Sequence, residues 1–291
     1  MRDILSMPNM PNKTLTLSIV IPVYNEEDYL PACLEAIADQ TVIPDEVIVV
    51  DNNSTDLTVK IAQQYSFVKV IKEKRQGVFF ATRRGFNAAK SDVICRIDAD
   101  TLLPAEWIET VLAELSARDV AAVTGPVSYY DMPLPRSNYW FDHIMRALTY
   151  RLAYKNSPFL YGSNLAIRRR VWKKLAAGLC PQQDIHEDID LAIHVKEAGH
   201  EIVYTKAMLS GASGRRYNDG LKSFRDYIGM YRRTYSGHGL YSLAIYPALF
   251  MWSLGYILMH PWRNLWYSLY ARINDFYPLS REARKNPMSS L

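Results

Sequence analysis

Short runs rich in Val and Ile, each followed by a segment long enough for a helix, constrain this chain more than any other feature. They read "LSIVIP" from Leu17, then "EVIVVD", "FVKVI", "DVICRID" and "VAAVTG". Runs this short and this uniformly apolar predict strands buried on both faces, as in a parallel sheet. Residues 27–39, 56–65, 78–89 and 104–115 between them have helix length. Alternating strand and helix predicts an α/β fold: a Rossmann-like, mostly parallel sheet with flanking helices and right-handed crossovers. Pro104 suits the first turn of its helix, and Ser54 or Thr55 suits the cap of the helix after the second strand.

After Gly125 the rhythm breaks. Residues 128–161 are aromatic and basic, whereas 168–177 and 187–198 read as helices, the second closed by Gly199. Near the end, "GLYSLAIYPALFMWSLGYILM" (239–259) carries no charged side chain and is flanked by Arg232, Arg233 and Arg263. That stretch suits either a membrane span or a helix lying on a membrane surface. Residues 1–16 hold no continuous apolar segment and read as a flexible tail rather than a secretory signal. The 34 Lys and Arg against 30 Asp and Glu leave a formal charge of +4, too small an excess to point to nucleic acid. Cys33, Cys95 and Cys180 are far apart, so neither a disulfide framework nor a zinc site is expected, and a cytoplasmic setting fits.

In open α/β sheets ligands bind beyond the carboxyl ends of the strands. Three such ends are acidic here: "PVYNEE" (22–27), "DNNSTD" (51–56) and Asp98-Ala99-Asp100. Any one alone reads as a turn or a helix cap. Asp98 and Asp100 are two positions apart, so on an extended chain they face the same way. Carboxylates crowded onto one edge need an opposing charge. With no His or Cys nearby, a hard, oxygen-preferring ion, Mg²⁺ or Mn²⁺, is the expected one.

Taken in order, "SIVIPVYNEEDYL", "EVIVVDNNSTD", "KRQGVFFATRRGFNAA", "IDADT" and "HEDID" resemble the family-two glycosyltransferases, which have the glycosyltransferase A-type fold. The resemblance covers roughly residues 17–216. It implies a catalytic domain there, with a nucleotide-binding half (17–101) and an acceptor half (102–216), followed by a helical, hydrophobic C-terminal region (217–291). It further implies a nucleotide-sugar donor, usually of UDP. Pro22, Tyr24 and Glu26 would line the nucleotide pocket, Asp51 would hold the base, and Arg75 and Gly77 would close over it. Asp98 would reach the ribose or a metal-bound water, and Asp100 would bind the metal that bridges the diphosphate.

The resemblance makes Asp188 the base for the acceptor hydroxyl, with Glu187 beside it. Read on their own, Glu187, Asp188 and Asp190 equally suit the start of a helix, where acids are favoured. Arg215 and Arg216, in a segment read as a flexible loop, have the paired donors that suit diphosphate oxygens. Gly162, Ser163 and Asn164 fall where relatives build the acceptor wall, although "YGSN" also reads as a plain turn before a strand. His186 and His194 read as structural or solvated. The Gln-x-x-Arg-Trp motif of processive synthases is missing from "SFRDYIGMYRRTY". The expected activity is therefore inverting transfer of a single sugar onto a glycan or lipid-linked acceptor at the cytoplasmic face of a membrane. A catalytically silent nucleotide-binding subunit is the alternative. A nucleotidyltransferase or NAD enzyme would need a Gly-rich loop after the first strand, and "PVYNEE" has no Gly.

Overall fold

The computed structural model describes residues 15–117, 119–132, 139–140, 143–144, 147, 159–182, 184–240, 243 and 245–273. Residues 1–14 of the expected tail and most of the aromatic stretch 128–161 lie outside these. The main sheet contains β1 (Leu17–Val23), β2 (Glu46–Asp51), β3 (Val68–Lys72), β4 (Val93–Arg96), β5 (Ala122–Thr124), β7 (Leu165–Arg168) and β8 (Ile202–Tyr204), in the order β3-β2-β1-β4-β7-β5-β8. β6 (Val127–Tyr129) and β9 (Ser210–Ala212) pair separately, in parallel. β3, β2, β1 and β4 are mutually parallel. The chain moves from β1 outward to β3 and returns to β4 on β1's other side. That reversal of direction opens a crevice at the carboxyl ends of β1 and β4.

The uniformly apolar runs are explained by helices on both faces. Ile19 and Ile21 pack with α1 (Leu30–Ala38) and α4 (Trp107–Ala117), through Leu34, Ile37, Trp107 and Val111. Val20, between them, points the other way with Ile48 and Val50, onto α3 (Val78–Ala88), α5 (Arg169–Leu175) and α6 (Glu187–Glu197). Each such fully buried Val or Ile contributes about 2 kcal/mol through area removed from water. A Cβ on Gly85 of α3 would lie 2.3 Å from Val20 Cγ1, so the bare glycine lets α3 sit directly on β1. A short helix, α2 (Thr58–Ala62), follows β2.

Two elements differ from the sequence reading. β3 lies at the sheet edge and is only half-buried, with Lys69 and Lys72 turned to solvent, rather than covered on both faces. β7 runs antiparallel to β4 and β5, so its first residue, Leu165, lies at the crevice end of the sheet. At the C-terminus, α7 (Leu221–Gly237) and α8 (Ile245–Ile273) dock on α6, with Tyr231, Tyr235 and Ile245 around Ile189 and Ile193. Among the described residues no helix is long and apolar enough to cross a membrane. α8 nevertheless leaves Phe250, Leu254, Ile257, Leu258, Trp262 and Leu265 exposed, spaced as one helical stripe.

Candidate active site

The crevice is a cleft of about 900 Å³. Pro22, Tyr24 and Glu26 line it from the end of β1, Gly77 from the start of α3, and Asp98 and Asp100 from the end of β4. Gly162, Ser163, Glu187, Asp188, Arg215 and Arg216 line it as well. Residues expected from six separate stretches of chain thus share one cavity.

The loops after β1 and β2 and the start of α3 are laced together by asparagines. Asn25 and Asn53 adopt φ of 53° and 68°, a left-handed conformation that Asn tolerates better than most residues. Asn25 Oδ1 accepts the Thr55 N–H at 2.8 Å, tying the β1 and β2 loops to each other. Asn52 Oδ1 accepts the Gly77 N–H at 2.7 Å, and Asn52 Nδ2 donates to the carbonyls of Glu73 and Arg75. Gly77 itself, at φ 130°, occupies a conformation that disfavours any side chain.

Two buried arginines hold the acids. Arg96 is 4% exposed; its Nη2 donates to Asp98 Oδ1 at 2.8 Å and its Nη1 to Glu187 Oε1 at 3.0 Å. A Cβ on Gly162 would fall 1.9 Å from Arg96 Nη1, so only glycine leaves room for this guanidinium. The Gly162 N–H donates to Asp188 Oδ2, and the Ile189 N–H to Asp188 Oδ1, both at 2.8 Å. Burial raises the Glu187 pKa above the ordinary carboxylate range, with Arg96 pulling the other way. Arg215 is equally enclosed. Its Nε donates to Asp100 Oδ2 at 2.8 Å, its Nη2 meets the Glu26 carboxylate at 2.7 Å, and its plane lies 4.2 Å from the Tyr29 ring centroid. Burial opposes the Arg215 charge, yet Asp100 and Glu26 raise its pKa. Asp98 and Asp100 present only oxygen donors, and Asp100 Oδ1 makes no hydrogen bond among the described residues. That donor set fits Mg²⁺ or Mn²⁺.

The profile described as Glycosyl transferase family 2 matches residues 18–176, more than half of the chain and all of the sheet edge just described except the 187–188 and 215–216 segments. The chain belongs to glycosyltransferase family 2. Among curated members, the glycosyltransferase GlyG of Streptococcus pneumoniae is 32% identical over 130 residues, 43% of this chain and 42% of GlyG. The match thus spans less than half of that relative's length. Among solved structures, a mannosyltransferase from Pyrobaculum calidifontis in complex with GDP-Man and Mn²⁺ superposes with a TM-score of 0.62 at 18% identity, over 90% of this chain and 76% of that one. S. aureus TarS 1–349 in complex with UDP-GlcNAc gives a TM-score of 0.55 at 17% identity, over 76% of this chain and 66% of that one. Both likenesses support the family's fold.

Five expected site residues sit differently from the sequence reading. Asp51 is turned into its own loop, where Oδ1 accepts the Ser54 N–H at 2.8 Å and Oδ2 lies 3.8 Å from Lys72 Nζ; Asn52 lines the cleft instead. Arg75 leans away from the cleft lining, paired with Glu73 at 3.2 Å and 4.6 Å from the Phe80 ring centroid. Asn164 is fully buried behind the tip of its turn. Its Oδ1 accepts from Trp107 Nε1 at 2.9 Å, and its Nδ2 donates to the Pro126 and Met208 carbonyls at 2.9 and 2.6 Å. It is a structural peg, while Gly162 and Ser163 at the tip of the same turn face the cavity. Arg215 and Arg216 belong to a 3-10 turn (Arg215–Asn218), not a loose loop, and Arg216 stacks 3.7 Å from the Tyr227 ring centroid.

The sequence reading missed Arg96 and Asp131. Arg96 had a visible signal, a charge inside an apolar strand two places before Asp98. Asp131 had none, yet it accepts from Ser213 Oγ and the Gly214 N–H, both at 2.6 Å, and so sets the turn that carries Arg215. Away from the cleft lining, donor atoms of Cys180, Asp190 and His238 lie within 4.8 Å of one another. Asp190 there pairs with His238 Nε2 at 2.7 Å, which accounts for the last acid of "HEDID" as a buried, satisfied charge.

Proposed function

We propose that this protein is an inverting glycosyltransferase that moves a single sugar from a nucleotide-sugar donor, a UDP-sugar first among the candidates, to a hydroxyl of a glycan or lipid-linked acceptor. The observation that carries the reading is Asp188, fixed by the Gly162 and Ile189 amides in the same cleft as Asp98, Asp100 and Gly77. Pro22, Tyr24 and Asn52 offer walls for the nucleoside, and Gly77 lets the backbone approach the ligand closely. Arg216 offers paired donors for diphosphate oxygens. Asp188 accepts the proton of the acceptor hydroxyl as its oxygen attacks the anomeric carbon, and the bond to the diphosphate breaks on the opposite face. A Mg²⁺ or Mn²⁺ ion held by Asp98 and Asp100 would supply neutralising charge to the leaving diphosphate. Retaining glycosidases instead form a covalent sugar-enzyme species between two carboxylates, and have no use for a diphosphate site.

The test is slow donor hydrolysis over a panel of UDP-, GDP- and TDP-sugars with Mn²⁺, together with calorimetry using the free nucleotides. Release of one nucleoside diphosphate above the others is the expected result. Absence of both hydrolysis and nucleotide binding across the panel sinks the reading.

The exposed stripe of α8, together with exposed Lys222, Arg225 and Arg232 on the neighbouring α7, supports a protein resting on an anionic lipid surface where a lipid-linked acceptor would be met. Sedimentation with phosphatidylglycerol vesicles is expected to carry the protein down, with loss of binding for the Phe250→Glu, Trp262→Glu pair. Equal recovery in the supernatant with and without vesicles would count against a lipid role.

A further inference from the structure

We infer that Arg215 is a built-in counter-cation for the metal ligand Asp100, so that a divalent ion gains full access to Asp100 only when a nucleoside diphosphate draws the guanidinium away. The inference rests on the donor-site reading above and adds an order of events to it.

Arg215 Nε lies 2.8 Å from Asp100 Oδ2, and Arg215 Nη2 lies 2.7 Å from Glu26. Both carboxylates are almost fully enclosed, at 8% and 7% side-chain exposure. Two enclosed carboxylates in one cleft repel unless a cation stands between them, and here the cation belongs to the chain. A metal ion bonded to Asp100 would stand within a few ångströms of this guanidinium, since metal–oxygen bonds are about 2.0–2.6 Å long. Two positive charges at that separation in an enclosed site oppose each other strongly. A metal arriving alone therefore competes with Arg215 for the same carboxylate.

A diphosphate changes the balance. Arg215 lines the cleft, and its Nη1 makes no hydrogen bond among the described residues, so one end of the fork is available to phosphate oxygens without any rearrangement. Paired, charge-assisted donation to phosphate is among the strong contacts open to a guanidinium. As Arg215 swings toward the diphosphate, Asp100 Oδ2 is released to the metal. The pivot is defined: Asp131 clamps Ser213 and Gly214 just before Arg215, so the side chain moves while the turn stays put.

Mn²⁺ binding to the full chain, followed by the electron paramagnetic resonance signal of the free ion, tests the inference with and without UDP or GDP. In the unaltered protein Mn²⁺ alone should bind at least about tenfold more weakly than in the presence of the diphosphate, after correction for Mn²⁺ held by free nucleotide. Arg215→Gln should raise the affinity for Mn²⁺ alone by about tenfold and shrink the nucleotide's effect, while Arg215→Lys, which keeps the charge but not the fork, should fall between. Glu26→Gln removes the second carboxylate that shares Arg215, leaves the guanidinium to Asp100 alone and should weaken the binding of Mn²⁺ alone, which covers the case of an unfolded Arg215→Gln protein. Unchanged affinity for Mn²⁺ alone in whichever of these variants retains the native circular dichroism spectrum overturns the inference. The arm with Mn²⁺ alone needs no nucleotide, so failure of any nucleotide to bind would fault the donor-site reading and leave the Arg215 result to stand or fall separately.

Discussion

Asp188→Asn is expected to lower the rate of sugar transfer by about 10³-fold, within the usual range for loss of a general base, while leaving nucleotide affinity nearly unchanged. The substitution keeps size and shape, and the asparagine Oδ1 can still accept the Gly162 N–H that Asp188 accepts now. What it removes is the capacity to take a proton from the acceptor hydroxyl, together with the acceptor that the Ile189 N–H meets at Asp188 Oδ1. Steady-state transfer with the donor selected by the panel, paired with calorimetry for the nucleotide, separates the two effects. A transfer rate equal to that of the unaltered protein would mean that the proton leaves by another route. Glu187, beside it and raised by burial, would then be the residue to examine.

Arg96→Met should be the most damaging single change to stability, by about 3–5 kcal/mol, because it strips the partner from enclosed charges rather than removing a surface contact. Arg96 serves Asp98 and Glu187 directly and lies against Gly162, which in turn holds Asp188. The deficit should depend on pH, and its sign follows from Glu187. Burial already raises the folded-state pKa of that carboxyl, with Arg96 opposing; without the arginine the pKa rises further. A carboxyl with a raised folded pKa is penalised when ionised. The penalty is therefore complete above the folded value and is lifted as pH falls toward the ordinary carboxylate range. Urea midpoints across that interval should converge on those of the unaltered protein at the acid end. A constant difference at every pH would show that Arg96 acts by packing and not by charge.

The sheet was legible because residues such as Ile19, Val20 and Ile21 face two different layers and must all be apolar. β7 was not, since the four residues "LAIR" say nothing about direction, which is set by its pairing with β4 and β5. Asp51 was placed on the correct loop, but the amide of Ser54 claims its side chain and leaves Asn52 to the cleft. Opposing charge at Asp98 and Asp100 was readable as a need. Its source was not, because Arg215 stands 115 positions from Asp100 and 189 from Glu26, beyond the reach of any local pattern. Arg96 was within reach, and an arginine inside an apolar strand next to an acidic strand end is the signal to weigh in other chains.

The reversed strand has an evolutionary corollary. Tyr129, at the end of β6, and Tyr161, just before β7, both line the cleft, so the connection between the two strands begins and ends at the site. The pairings Val93↔Arg168 and Ala122↔Ile167 fix β7 whatever length that connection has. A lineage can therefore vary the connection between Met132 and Phe159 and with it the rim of the cleft, as long as Asp131 keeps its hold on Ser213 and Gly214 and Gly162 keeps its amide on Asp188.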